Sequence, residues 1–183
     1  MKTKMGIICL LLLGLLQIAA VNQNNSTLGP LPQQQDGAVL ANLLVINENQ
    51  SALARYVYKR SNNAVIQQFA LKLEQQARHH LKEIYHLSKT TGISTIDAAT
   101  ALKLRSVKNQ ELKELSEAEN SQLDNLYLEF EIRNSSKALT LFEQDFKPIA
   151  THPAIKNYLE SSKQDFIENV KQAQLIQKTL GPH

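Results

Sequence analysis

Cysteine is almost missing from this 183-residue chain, and its one example, Cys9, lies inside the first apolar run. A disulfide framework is therefore excluded, and so is a thiol nucleophile beyond that run. Tryptophan is absent, and the five Phe and five Tyr are scattered, which gives no stacking platform for bases. With only 6 Gly and 5 Pro, there is little to break a helix. There is also no Gly-rich phosphate loop and no G-x-S-x-G elbow. An excess of one charge is lacking too: 20 basic groups face 17 acidic ones, or +3. Without Lys2 and Lys4, 18 face 17. That balance gives no electrostatic case for nucleic acid or an anionic membrane.

What is there begins with MKTKMGIICLLLLGLLQIAA, residues 1–20. Two lysines precede an apolar run that ends in small residues, the three-part pattern of a cleavable signal peptide. The run is short for a bilayer span, which needs about 20 apolar residues, so an uncleaved anchor is the weaker reading. Cys9 follows Ile8 and makes a poor lipid-attachment site. The expectation is a periplasmic or secreted protein with no membrane insertion after cleavage. Residues 21–35, VNQNNSTLGPLPQQQ, are polar and aperiodic and read as a disordered linker. Asn24 and Asn25 form N-x-S/T sequons, which matter only in a glycosylating secretory pathway.

The rest, residues 36–180, reads as one helical domain. Its organising stretch is residues 62–92, NNAVIQQFALKLEQQARHHLKEIYHLSKTTG. Ile66, Phe69, Leu73, Ala77, His80, Ile84 and Leu87 recur at three- and four-residue spacings and share one face. Asn62 or Asn63 can cap its start, and Gly92 suits a left-handed stop. His79 and His86 point away from the stripe, and Glu83 lies on its flank. A first helix, residues 36–60, has Asp36 as its cap and Val39, Leu43, Ile46, Gln50, Leu53 and Val57 as its stripe. The amide of Gln50 is expected to bond to a neighbouring helix or a buried water.

Between residues 94 and 119 only weak helical segments stand out, at 98–104 and 111–115. Short helices crossing one end of the domain are expected there. A third long helix starts at Glu119 or Asn120 and runs to Phe146, with Pro148 ending it. It carries two stripes: Leu128, Ile132, Leu139, Phe142 and Phe146, and Leu123, Leu126, Phe130 and Leu141. Thr151 can cap a fourth helix that begins at Pro153 and stops at Gly181. Ile155, Leu159, Phe166, Val170 and Ala173 form its stripe, with Ser162 and Asn169 beside it. Four long helices with one longer crossover predict an all-α four-helix bundle.

The order of these pieces resembles the DUF4142 family, exported bacterial proteins of unknown function. The likeness rests on residues 65–70 (VIQQFA) and their spacing to Gly92, on 123–127 (LDNLY) leading to 137–143 (KALTLFE), and on 153–158 (PAIKNY). It implies a ferritin-like bundle. The family's usual Asp-His pairs fall here on Gln76 and Ala77, and on Asn134 and Ser135. A late histidine falls on Asn169, and a first-helix glutamate on Gln50. Charges and imidazoles have given way to amides and small side chains.

A di-iron centre in such a bundle takes a Glu from each of two helices and a Glu-x-x-His from each of the other two. Glu83 and His86 supply one such spacing. Glu168 is followed three residues later by Lys171, which cannot coordinate. An internal cofactor or metal is therefore not expected. His79, Glu83 and His86 share an outer face and could hold a surface zinc or copper ion, but a solvated face is the plainer reading. His80 fits a hydrogen-bonded core histidine better than a ligand. No catalytic residue is assigned. The expected role is binding or structural, for an unspecified protein or small-molecule partner and in an oligomeric state left open. The alternative is a ferritin-like metal-storage or oxidative-stress protein. It requires His80, Glu83, Glu48, Glu129 and Glu131 to converge. A further alternative is an adaptor that docks partners on Leu123, Leu126, Phe130 and Leu141.

Overall fold

The computed structural model describes residues 30–181, and every regular element among them is helical. The expected leader and residues 21–29 of the expected linker lie outside the described residues. The elements are α1 (Pro32–Arg60), α2 (Ala64–Thr91), α3 (Ala99–Glu117), α4 (Asn120–Leu141), α5 (Lys147–Ile149) and α6 (Pro153–Leu180). A π-helical turn, Phe142–Phe146, joins α4 to α5. Such widened turns interrupt α-helices over a single turn. It lets the helix path continue past Pro148, whose ring would otherwise press on the carbonyl four residues back.

Helix ends follow local chemistry. Asn63 caps α2, its Oδ1 accepting from Val65 N at 2.9 Å and Ile66 N at 3.5 Å. Gly92 ends α2 at φ 70°, which a side chain would resist. Two caps differ from expectation. α1 begins at Pro32, four residues before Asp36, because Pro suits the first turn and Gln34 Oε1 accepts from Leu31 N at 3.2 Å. Residues 32–35 therefore belong to the helix, not to a linker. Asp36 lies buried inside α1 and serves the start of α6 instead. Its carboxylate accepts from Thr151 N at 2.7 Å, Thr151 Oγ1 at 2.5 Å and His152 N at 3.0 Å. Thr151 being so engaged, His152 takes the capping position, with Nδ1 accepting from Ala154 N at 3.2 Å.

α1 packs on α2 and α4, and α6 packs on the same two, closing a ring. α3 lies outside it, on α1 and α4. In place of short helices crossing an end, α3 is one continuous helix of 19 residues. Asn49 Nδ2 donates to Leu104 O and Arg60 Nη1 to Leu115 O. Both bonds span 55 residues, so α3 runs parallel to α1. Three flanking helices explain why α1 is apolar on more than one side, burying Leu40 and Val45 as well as its stripe.

The core is divided. One cluster joins Val39, Leu43 and Ile46 to Ile84, Leu141, Phe146, Ile155 and Phe166. The other joins Leu53 and Val57 to Ile66, Leu73, Leu123, Phe130 and Ala173. Between them each helix of the ring turns polar at the same level: Asn47 and Gln50 on α1, Gln76 and His80 on α2, Glu131 and Ser135 on α4, and Asn169 on α6. Both stripes expected on the third helix are engaged inside the chain. Leu123, Phe130 and Leu141 are buried, and Leu126 packs against the second cluster. The adaptor surface proposed for them does not exist.

Candidate functional site

Glu131 is the carboxylate of this polar layer. It sits one helical turn beyond Tyr127 and one turn before Ser135, on the inward face of α4. It is 3% exposed. Ser135 Oγ donates to its Oε1 at 2.5 Å, and Gln50 Nε2 donates to the same oxygen at 2.9 Å. These bonds favour the carboxylate, but burial outweighs them, and the Glu111 charge adds to burial. The carboxyl is pushed up to about 7. Tyr127 is raised well above the usual phenol range by burial, with the Glu131 charge adding.

Beside Glu131 lies a cavity of about 40 Å³ between α1, α3 and α4. Asn49, Gln50, Glu111, Asn134 and Ser135 line it, with Ile46, Leu53, Leu104 and Phe166 as apolar wall. Glu111 of α3 is buried. Its Oε1 accepts from Arg133 Nη2 at 2.6 Å and its Oε2 from Asn134 Nδ2 at 2.9 Å. Asn49 donates to Leu104 O at 2.8 Å. These bonds pin α3 over the cavity.

On the opposite side of the ring, Asn169 Nδ2 donates to Gln76 Oε1 at 2.8 Å. His80 is buried, stacked on Phe166 and met edge-on by Tyr158. Its Nε2 lies 3.1 Å from Asp165 Oδ2 and its Nδ1 3.4 Å from Glu83 Oε2. Both nitrogens face a carboxylate without the alignment of a hydrogen bond. Burial raises the Tyr158 phenol, and the charges of Glu83 and Asp165 raise it further. His79, Glu83 and His86 border an open surface pocket of about 470 Å³ that Lys82 shares. His79 Nε2 is 3.5 Å from Glu83 Oε1.

The five residues required for an internal metal site do not converge. Glu48 and Glu129 are exposed, Glu131 is paired with Gln50, and His80 and Glu83 stand together on α2. Among the described residues, no three His, Cys, Asp or Glu side chains gather where one ion could be held.

A domain of unknown function, DUF4142, matches residues 22–176, most of the chain. The chain belongs to the DUF4142 family. No curated protein and no solved structure matches it. No helix among the described residues is long and apolar enough to cross a membrane. Of the positions that the resemblance singled out, all but Ala77 fall in two groups. Gln50, Asn134 and Ser135 line the cavity, and Gln76 bonds to Asn169. Glu111 was not foreseen from the sequence. The signal for it was faint: a charged residue on the same helical face as Ala101 and Leu115.

Proposed function

We propose that this DUF4142 chain is an exported, non-catalytic binding protein of the cell envelope, built on a ferritin-like four-helix bundle. The closed ring of α1, α2, α6 and α4 supports the bundle, with α3 as an added outer helix. The leader pattern of residues 1–20 and a remaining chain without cysteine support export to the periplasm or beyond.

The observation that carries the binding role is the make-up of the polar layer. Between α1 and α4 it offers one carboxylate, Glu131, with Gln50 and Ser135; between α2 and α6 it offers the amides of Gln76 and Asn169. A two-ion redox centre needs several carboxylates and two imidazoles on these helices. Amides supply neither the charge nor the nitrogen, so the donors do not fit such a centre. Buried amides and a hydroxyl suit recognition through hydrogen bonds.

Elemental analysis of dialysed protein purified from residue 21 onward tests this. Iron and manganese well below one per chain are expected. Two tightly held iron or manganese ions per chain would overturn the reading and restore the metal-storage alternative.

A further inference from the structure

We infer that the first part of α3, from Ala99 to Glu111, is a pH-released strap: it docks on α1 and α4 while Glu131 holds its proton and loosens when Glu131 ionises. The inference goes beyond the binding role above and needs no ligand. It starts from two carboxylates on different helices. Glu131 of α4 and Glu111 of α3 border the same cavity of about 40 Å³, and they are only 3% and 2% exposed. Two negative charges there repel with little water to screen them. The rest of the wall offsets them weakly. α1 lends it Asn49 and Gln50 but no charge, and α6 lends it Phe166. His80 of α2 stacks on that ring, with its nitrogens turned to Asp165 and Glu83. On α4, Tyr127 precedes Glu131 by one turn, and burial, with the Glu131 charge adding, holds its phenol above the usual range. Arg133 pairs with Glu111, but its side chain is 57% exposed, and Lys137 borders the cavity from an exposed position.

Burial is the main force that pushes the Glu131 carboxyl up to about 7; the Glu111 charge adds to it, and the hydrogen bonds from Ser135 and Gln50 oppose it. Both upward forces ease if Glu111 swings out and water enters. In the loosened state the carboxyl moves back toward its ordinary 4.5, so the docked state binds the proton more tightly. Docking is strongest below about 4.5 and weakens as pH rises through about 7. Where α3 gives way follows from how it is held. Beyond Glu111 it is fixed: Leu115 belongs to the second core cluster, Leu112 packs against that cluster, and Arg60 donates to Leu115 O, Ser116 O and Ala118 O. Before Glu111 it buries only Ala101, rests Leu104 against the first cluster, and takes the Asn49 bond at Leu104 O. Leu102 and Val107 face solvent there, 60% and 43% exposed. Glu111 also has a way out, since its partner Arg133 already stands at the surface. Opening this part gives up the contacts of Ala101 and Leu104 and leaves Leu115 in place.

The test is hydrogen exchange followed by mass spectrometry on protein from residue 21 onward, at about pH 4.5 and about pH 8, on either side of the window that linkage sets. Glu131→Gln stays neutral at both values and is measured beside the parent, so the intrinsic effect of pH on exchange cancels. At the higher pH the amides of residues 103–111 should exchange faster in the parent than in Glu131→Gln, by roughly threefold or more. At the lower pH that difference should shrink to about twofold or less. In the parent at the higher pH these amides should also exchange well ahead of residues 66–73 of α2, which marks a local opening rather than unfolding of the chain. Equal rates in the two proteins at the higher pH, or an undiminished difference at the lower one, overturns the inference. A common rate for residues 103–111 and 66–73 overturns it as well, because the strap would then open only with the whole chain.

Discussion

Gln50 donates an amide hydrogen to Glu131 at 2.9 Å, tying α1 to α4 where both helices cease to be apolar. The contact is buried on both sides. It stabilises a negative charge that its surroundings reject, and burial wins: the carboxyl reaches about 7. At neutral pH the layer is therefore balanced between a charged and a neutral state.

The first prediction concerns that response. In the unfolded chain Glu131 titrates near its ordinary 4.5, and in the folded chain near 7. The folded state thus binds the proton more tightly. Its contribution to stability is fully present below about 4.5 and is lost as pH rises through about 7. The gap corresponds to about 3 kcal/mol. In chelator-containing buffer, Glu131→Gln should be more stable than the parent at pH 8, with the difference vanishing near pH 4. Urea denaturation at both pH values checks it. A variant less stable at pH 8 would mean the charge is not costly.

Asp36 supports the second. It takes two backbone amides and a hydroxyl from the turn before α6, which joins the start of α1 to a segment 115 residues away. Asp36→Ala leaves these groups without a partner in a half-buried place, at a cost of about 2–4 kcal/mol. Thr151→Ala removes one bond and should cost about 1 kcal/mol. Denaturant midpoints of both variants give the comparison. Equal losses would mean that Thr151, not the carboxylate, holds the joint.

How much of this was legible in the sequence depends on the kind of force involved. The stripe of α2 was readable, since Ile66, Phe69, Leu73, Ala77, His80 and Ile84 are all buried on the face their spacing marks. Asn63 and Gly92 were readable because caps are local chemistry. α3 was not, because its helix is mostly exposed and held by Asn49, Arg60 and Arg133, partners far away in the chain. Asp36 looked like the cap of its own helix and is the anchor of another, a difference no local rule could supply. Gln50 was expected to find a neighbouring helix or a buried water. That the neighbour would be Glu131 required knowing the register of α4 against α1.

Phe130 carries the third prediction. With Leu123 it belongs to the second stripe of α4, and both are buried within the chain. Phe130→Ala should cost about 3–5 kcal/mol, and Leu123→Ala about 2–5 kcal/mol. Thermal unfolding measures both. Losses well under 1 kcal/mol would put these side chains back on the surface and revive the docking idea.

Gly37 provides the last. It lies inside α1, where alanine would normally gain about 1 kcal/mol from helix propensity. Here the link between α2 and α3 crosses directly over it. Gly37 O accepts from Ile96 N at 3.0 Å. A Cβ at this position would stand 2.5 Å from Ser94 O and 3.0 Å from Ile96 Cγ1. The carbonyl oxygen is backbone, so the link itself must move, and crowding of this kind costs about 1–3 kcal/mol. Gly37→Ala should therefore lower the melting temperature and speed hydrogen exchange at the Ile96 amide, while Ile66 and Phe69 at the far cluster stay protected. A rise in melting temperature would show that the crossing yields freely, and that the glycine is not what lets the link pass.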